Sequence, residues 1–414
     1  MKVLALSFSD LDGGAARASY RLHTSLRDAG IDSEIWVNSV RSRDPSVHGP
    51  IGKWAKALAL LRPRLATPLR RMLHTDNPII HSPAVVPSRW PERLNASDAD
   101  VVHLHWVQGE MLSINDIARI RKPIVWTLHD MWAFCGAEHY TTDLRWRDGY
   151  LRDNRPDHES GFDLNRWTWE RKRKQWSIPM HIVCPSQWLA GCVRASALMH
   201  DWPVSVIPNP IDYSRWRPIA QSLARQLMHL PQDCPLLLFG AMGGGRDVRK
   251  GHDLLLAALV ILRSEPSLRN LRVVVFGQHA PDPPLNLDFP VHYAGHLDDD
   301  FSLRALYSAA DVMVIPSRQD NLPNTGLEAQ ACGTPVVAFN TGGLPDIVEH
   351  RITGALATSF EPESLASEIR WVLEDQQRLW QLSANARAKR LSSPEHVAQL
   401  YTEVYRSVQS EDPS

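Results

Sequence analysis

The chain is predicted to fold as two α/β domains built on parallel sheets, and three observations carry that reading. Short apolar runs recur along its whole length, each closed by a polar or glycine-containing loop: VLALSFS, PIVWTLH and HIVCPS in the first half, then PLLLFG, LRVVVFG, DVMVIPS and TPVVAF in the second. Most are followed by a segment with helical spacing. Runs that are apolar on both faces suit parallel strands covered by helices, whereas half-exposed strands would alternate. The length of 414 residues is enough for two domains of ordinary size. The proline-rich stretch from Pro208 to Pro218 marks the crossover and a hinge between them. We therefore expect a first domain over residues 1–210, a second over 211–392, and a last helix over 393–414.

Composition narrows the function classes. Hydrophobic residues make up 43% and charged residues 22%, as in globular proteins with a full core. A net charge of −1 argues against a nucleic-acid partner, which would call for a basic excess. The five cysteines form no CxxC pair and their number is odd, which fits a reducing, cytoplasmic compartment. No apolar run approaches the roughly 18 residues of a membrane span, and MKVLALSFSD is too short for a secretory leader. Tryptophan is abundant, with 15 residues against 8 Tyr and 9 Phe, and those between Trp126 and Trp216 are expected to line one region.

Taken in order, VLALSFS reads as a strand leading through Gly13-Gly14 into an amphipathic helix. Glycines between strand and helix let a phosphate or sugar come close to backbone. No third glycine follows at the spacing of a dinucleotide fingerprint. Residues 45–75 hold Lys53, Lys56, Arg62, Arg64, Arg70 and Arg71 without one acid, interleaved with Trp54 and several leucines. Such a segment suits an anionic membrane surface or a solvated insertion, and Pro63 and Pro68 should divide it into two pieces. His103 and His105 share one face of the next strand by its period of two. No further ligands cluster with them, so packing or acceptor contact is favoured over metal. Asp98-x-Asp100 reads as a capping turn, and Asp298-Asp299-Asp300 as a helix start. His129-Asp130 stand at the tip of the strand ending at Leu128, where open α/β sheets bind ligands. Residues 141–178 read as a mobile loop and then a helix.

In the second half a glycine-rich loop, GGGRDVRKG, lacks the Gly-Lys-Ser/Thr ending of a Walker loop. The organising stretch is DVMVIPSRQDNLPNTGLEAQACGTPVVAF, residues 311–339, which reads as strand, loop, helix, strand. The helix start around Asn324, Thr325, Gly326 and Leu327 offers N–H groups and a positive dipole end to a diphosphate. Glu328, one turn in, suits ribose hydroxyls, and Asp320 stands eight residues before it.

That stretch resembles the nucleotide-sugar site of family 4 retaining glycosyltransferases, whose pattern is Pro-Ser, a Glu-x7-Glu pair and then Ala-x-Ala-x-Gly-x-Pro-Val-Val. Here Asp320 replaces the first glutamate. DNLPNTGLEAQACGTPVVAF and HDMWAF are similar to the branch that builds bacterial capsule, colanic-acid-type and O-antigen polysaccharides. The resemblance implies a GT-B fold: two Rossmann-like domains facing across a cleft, with the C-terminal helix crossing back to the first. It implies retaining, metal-independent transfer of a sugar from a nucleotide-sugar donor to a glycan or lipid-linked hydroxyl acceptor. No cofactor is expected, and the location implied is cytoplasmic, at the inner membrane face if residues 45–75 touch it. His129, Lys250 and Asp320 become catalytic candidates, His129 reaching the transferring sugar and Lys250 neutralising the donor diphosphate. Its arginine partner is Arg246 or Arg249. Gly13 and Gly14 would lie beside donor phosphate and acceptor, with His105, Trp106 and Asp130 on the acceptor side. Two rivals are an inactive nucleotide-sugar-binding protein and, disfavoured by the missing fingerprint, a two-domain nicotinamide oxidoreductase.

Overall fold

The computed structural model describes residues 1–240, 247–281, 289–390 and 392–410. The chain forms two compact units: Met1–Pro210 together with the stretch from Pro394, and Ile211–Ser393. In the first unit the strands are β1 (Lys2–Ser9), β2 (Asp32–Ser39), β3 (Val47–His48), β4 (Leu73–His74), β5 (Val101–Leu104), β6 (Ile124–Thr127), β7 (Ser160–Gly161), β8 (His181–Cys184) and β9 (Val204–Val206). Seven of them form one parallel sheet in the order β3-β2-β1-β5-β6-β8-β9, and β4 and β7 make a separate antiparallel pair.

The second unit contains β10 (Leu236–Gly240), β11 (Arg272–Phe276), β12 (Val291–Gly295), β13 (Val312–Ile315), β14 (Val336–Phe339) and β15 (Gly354–Ala357). They too form a parallel sheet, in the order β12-β11-β10-β13-β14-β15. Both sheets wind outward from their first strand in two directions, the Rossmann arrangement. The reversal falls between β1 and β5 in one unit and between β10 and β13 in the other. Loops leaving those strand ends diverge to opposite faces and leave a crevice for ligands.

Alternation within each strand explains why the runs are apolar throughout. Leu236, Leu238, Met313, Ile315, Val336 and Ala338 pack on one side of the second sheet. Their neighbours Leu237, Phe239, Val312, Val314, Val337 and Phe339 pack on the other. Both faces are covered, so a polar residue in these strands would be buried whichever way it pointed. The last helix, Pro394–Ser410, belongs to the first unit, where Val397, Ala398, Tyr401, Val404 and Tyr405 join Val3, Leu22, Val101, Val125 and Val183.

Three expectations need correction. Pro63 does not divide the basic segment, because it lies in the last turn of the helix Lys53–Leu65. The break comes at Ala66, and Pro68 occupies the first turn of Thr67–Arg70, where a missing N–H is no loss. The tryptophans do not all share one region: Trp126, Trp132, Trp176 and Trp202 enter the first unit's core, but Trp216 belongs to the second. Residues 141–178 are tied down rather than loose. Arg145, only 2% exposed, bridges to Glu159 at 3.2 Å and to Asp163 at 2.7 Å.

From the helix Leu164–Gln175, fully buried Lys172 clips the loop after His129-Asp130. Its ammonium donates to the carbonyls of Trp132, Cys135 (3.0 Å) and Gly136 (2.7 Å), and lies 3.7 Å from the centre of the Trp132 ring. The lysine thus satisfies three inward-turned carbonyls and lets the loop bury them. Lys172→Met keeps the length of the side chain but strands those oxygens, and is expected to cost about 2–4 kcal/mol of stability. Guanidinium unfolding checks it; an unchanged midpoint would show that the loop holds itself.

Candidate functional site

The second unit's site is built where the loops after β10 and β13 meet. Lys250 ends a short 3-10 turn, Val248–Lys250, and its Nζ lies 2.6 Å from Asp320 Oδ2. Arg249 Nη1 lies 3.5 Å from the other oxygen of Asp320 and donates to the Gln319 carbonyl at 3.0 Å, while Nη2 pairs with Asp247 at 2.9 Å. Ser317 Oγ adds a hydrogen bond to Asp320 at 3.2 Å. Burial pushes the Asp320 carboxyl up, but Lys250 and Arg249 together hold it below the usual carboxylate range. It is therefore ionised at neutral pH, and two cations converge on one buried anion.

Backbone proximity holds the two loops together. Gly251 has φ +65°, and a Cβ there would collide with the carbonyl of Pro316. Arg318 N–H donates to the Arg249 carbonyl at 2.8 Å, and the Arg318 guanidinium grips Asp253 at 2.7 and 2.5 Å. On the far side, Gly343 N–H donates to the Asp320 carbonyl at 2.9 Å, and at Gly342 a Cβ would strike the same backbone. Gly251, Arg318 and Asp253 escaped the sequence reading. Their partners are distant in the chain, and only the positive φ typical of glycine hinted at one of them.

Helix Asn324–Ala331 follows, with Asn324, Thr325 and Leu327 half-buried in its first turn. The Gly326 N–H donates to the Pro323 carbonyl at 3.0 Å, and a Cβ there would press on the side-chain ends of Ile315 and Ile347 at 3.0–3.1 Å. Glu328 is 3% exposed and accepts from Tyr307 Oη at 2.9 Å. Tyr307, fully buried, was not identifiable from sequence because it lies on the preceding crossover helix. Arg246 lies outside the described residues.

The first unit offers a second set of residues at the equivalent strand ends. Gly13 caps the helix Gly14–Asp28 at φ +96°, and among the described residues nothing lies within 4 Å of where its Cβ would be. Positive φ, rather than crowding, is what asks for glycine there. His105 follows β5 directly and His129 follows β6 by one residue; Nδ1 of His105 lies 3.1 Å from Nε2 of His129. His103 is buried below them between Thr127 Oγ1 and Tyr405 Oη, each 2.8 Å away. Burial pushes His103 down to about 3 and His129 to about 4, the latter despite nearby Asp130, and places His105 well below its usual value. All three are neutral at pH 7.

Asp130 pairs with His139. Its Oδ2 lies 2.6 Å from His139 Nδ1 and accepts from Trp106 Nε1 at 3.0 Å, while Oδ1 accepts from Trp132 N–H at 3.0 Å. Both oxygens of Asp130 are thus engaged by its own scaffold. Asp98 and Asp100 bind the side chain and the N–H of Lys2. Among the described residues no three His, Cys, Asp or Glu side chains cluster as metal ligands.

Comparison with known proteins decides the family. Residues 12–215 match the family described as Glycosyltransferase Family 4, and residues 236–375 match Glycosyl transferases group 1. The chain belongs to the family 4 glycosyltransferases. Curated relatives include the D-inositol 3-phosphate glycosyltransferase of Thermobispora bispora, 30% identical over 223 residues, or 50% of this chain and 51% of that protein. The corresponding protein of Geodermatophilus obscurus is 36% identical over 198 residues, 44% of this chain and 42% of that protein. The chain spans about half the length of the curated relatives it matches. Solved structures of the same GT-B fold include sucrose-phosphate synthase from Thermosynechococcus elongatus, with a TM-score of 0.71, 18% identity and full coverage of both chains. HepE from Anabaena, in complex with UDP-glucose, superposes with a TM-score of 0.63 at 18% identity, over 98% of this chain and 100% of that one.

The buried neutral histidines give this member of the family a pH signature. His23, His103 and His129 have folded values of about 4, 3 and 4 against 6.5 when free, so the unfolded chain binds more protons below pH 6.5. Stability is full above that value and falls as pH drops toward 4, by up to about 1.4 kcal/mol per pH unit for each histidine. Guanidinium titrations at pH 7.5, 5.5 and 4.5 measure it; equal free energies at 7.5 and 5.5 would contradict neutral burial.

Proposed function

We propose that the protein is a retaining glycosyltransferase that moves a sugar from a nucleotide-sugar donor to a hydroxyl of a lipid-linked or growing surface glycan. The observation that supports it best is the pair of cations, Lys250 and Arg249, held against Asp320 at the reversal point of a Rossmann sheet. A diphosphate arriving there would offer those cations a second anion, and negative charge on the leaving diphosphate grows as the glycosidic bond breaks. Preplaced cations lower that barrier by meeting the charge without reorganising. Asp320 keeps Lys250 from swinging to solvent between turnovers. Glu328, oriented by Tyr307, would take the ribose hydroxyls, and neutral His129 of the first unit would contact the transferring sugar. With Lys250 and Arg249 carrying the neutralisation, turnover is expected to survive EDTA.

Glu328→Gln removes a charge-assisted acceptor worth roughly 1.5–3 kcal/mol, so affinity for a nucleoside diphosphate should fall at least about tenfold with little loss of stability. Unchanged affinity would place the ribose elsewhere. The anomeric proton coupling of the product, read by NMR, should match that of the donor; an inverted product would refute retention.

The acceptor reading draws on the helix Lys53–Leu65. Trp54, Leu58, Leu61 and Leu65 recur at helical spacing and are 90%, 54%, 49% and 54% exposed, beside Lys53, Lys56 and Arg64. The helix is seated by Ala59 and by Arg62, which donates to the carbonyls of Val86 (2.8 Å) and Glu110 (2.7 Å). The basic segment is thus anchored with its apolar stripe outward. An anionic leaflet matches that face, each inserted side chain contributing about 1.5–3 kcal/mol and each basic residue about 1. A free D-inositol 3-phosphate, acceptor in the name of the curated relatives, would need no such face. Wild type should sediment with phosphatidylglycerol vesicles at low salt, and Trp54→Ser/Leu58→Ser/Leu61→Ser should remain in the supernatant. Wild type that ignores vesicles at every salt concentration would remove the membrane from the proposal.

A further inference from the structure

The His105–His129 contact has a direction, and the direction sets what His129 can do. The 3.1 Å bond joins Nδ1 of His105 to Nε2 of His129, and one hydrogen lies between them. The other nitrogen of His105, Nε2, is shielded from solvent and has no partner among the described residues. Were the shared hydrogen to belong to His129, neutral His105 would carry its own on Nε2, an N–H buried with nothing to accept it. Buried orphan donors are rarer than buried acceptors with an unused lone pair. The hydrogen therefore belongs to His105 Nδ1, and His129 Nε2 accepts it. A neutral imidazole has one N–H, so the hydrogen of His129 sits on Nδ1.

We propose that His105 is a positioning residue that fixes His129 in the Nδ1–H tautomer, so that His129 meets the transferring sugar as a hydrogen-bond donor and never as a base. The role of the sugar rests on the glycosyltransferase reading above; the tautomer does not. His105 is in turn held in place. Its ring stacks on His103 with centroids 4.1 Å apart, its N–H donates to the Leu6 carbonyl at 2.9 Å, and its carbonyl accepts from Trp126 Nε1 at 3.1 Å. His103 is bound on both nitrogens, by Thr127 and by Tyr405, and Tyr401 Oη lies 2.9 Å from Thr127 Oγ1. The two tyrosines come from the last helix, which thereby seats the histidine stack. The half-buried ring of His129 leaves Nδ1 as its one nitrogen without a partner among the described residues. A donor at that point selects sugars that present an oxygen lone pair, as a hydroxyl does, over deoxy sugars at the same carbon.

The test uses protein labelled with 15N at histidine side chains, at pH 7.5, with His129 assigned by its loss in His129→Gln. Long-range proton–nitrogen correlations report which ring nitrogen carries hydrogen. Wild type should show His129 protonated at Nδ1. His105→Asn places an amide N–H where His105 Nδ1 was and should preserve that tautomer; His105→Leu should shift His129 to Nε2–H. Turnover should follow the tautomer: near wild type in His105→Asn and reduced about 10- to 100-fold in His105→Leu, with nucleoside diphosphate affinity unchanged in both. An Nε2–H signal for His129 in wild type, or an unshifted Nδ1–H in His105→Leu, overturns the proposal. The stated tautomers in a protein that transfers no sugar would uphold the His105 assignment and refute the transferase reading alone.

Discussion

Lys250 faces Asp320 at 2.6 Å because one loop lies directly on the backbone of another, and the rest of the second unit's site depends on that approach. Gly251 makes it possible, for any side chain there would strike Pro316. With the loops in register, the Arg318–Asp253 grip closes over their outer side and Gly343 secures Asp320 from behind. Lys250 and Arg249 are long, flexible side chains that would each lose much rotamer freedom on meeting a ligand. Anchored on a buried carboxylate, they have given up most of it beforehand. An aspartate in place of the family's usual glutamate fits this geometry: the shorter side chain, 7% exposed, still reaches both cations and Ser317. The substitution is no sign of a dead site.

The same topological device serves the first unit with different chemistry. The ends of β1, β5 and β6 carry Gly13, His105 and His129. Buried neutral histidines packed ring against ring offer hydrogen bonds there instead of charge. Lys172 and Asp130 hold the loop that carries His129, one by gathering its carbonyls and the other by linking Trp106, Trp132 and His139.

Much of this was legible in the sequence, and the misses share a cause. Val312–Ile315 showed a doubly buried strand because every position in it is apolar, and the helix Asn324–Ala331 followed from Gly333 and Pro335 closing it. His129 was legible because it ends a strand. Tyr307, Gly251 and Arg318 were not, since each meets a partner that the parallel crossovers bring from elsewhere in the chain.

The central claim is that Lys250 is poised for a diphosphate. Calorimetric titration of wild type and Lys250→Met with a nucleoside, its monophosphate and its diphosphate tests it most directly. Wild type should bind more tightly with each phosphate, and Lys250→Met should lose about 10- to 100-fold of the diphosphate's affinity while binding the bare nucleoside as before. Equal losses for nucleoside and diphosphate would show that Lys250 supports the fold of the loop and not the charge of the ligand.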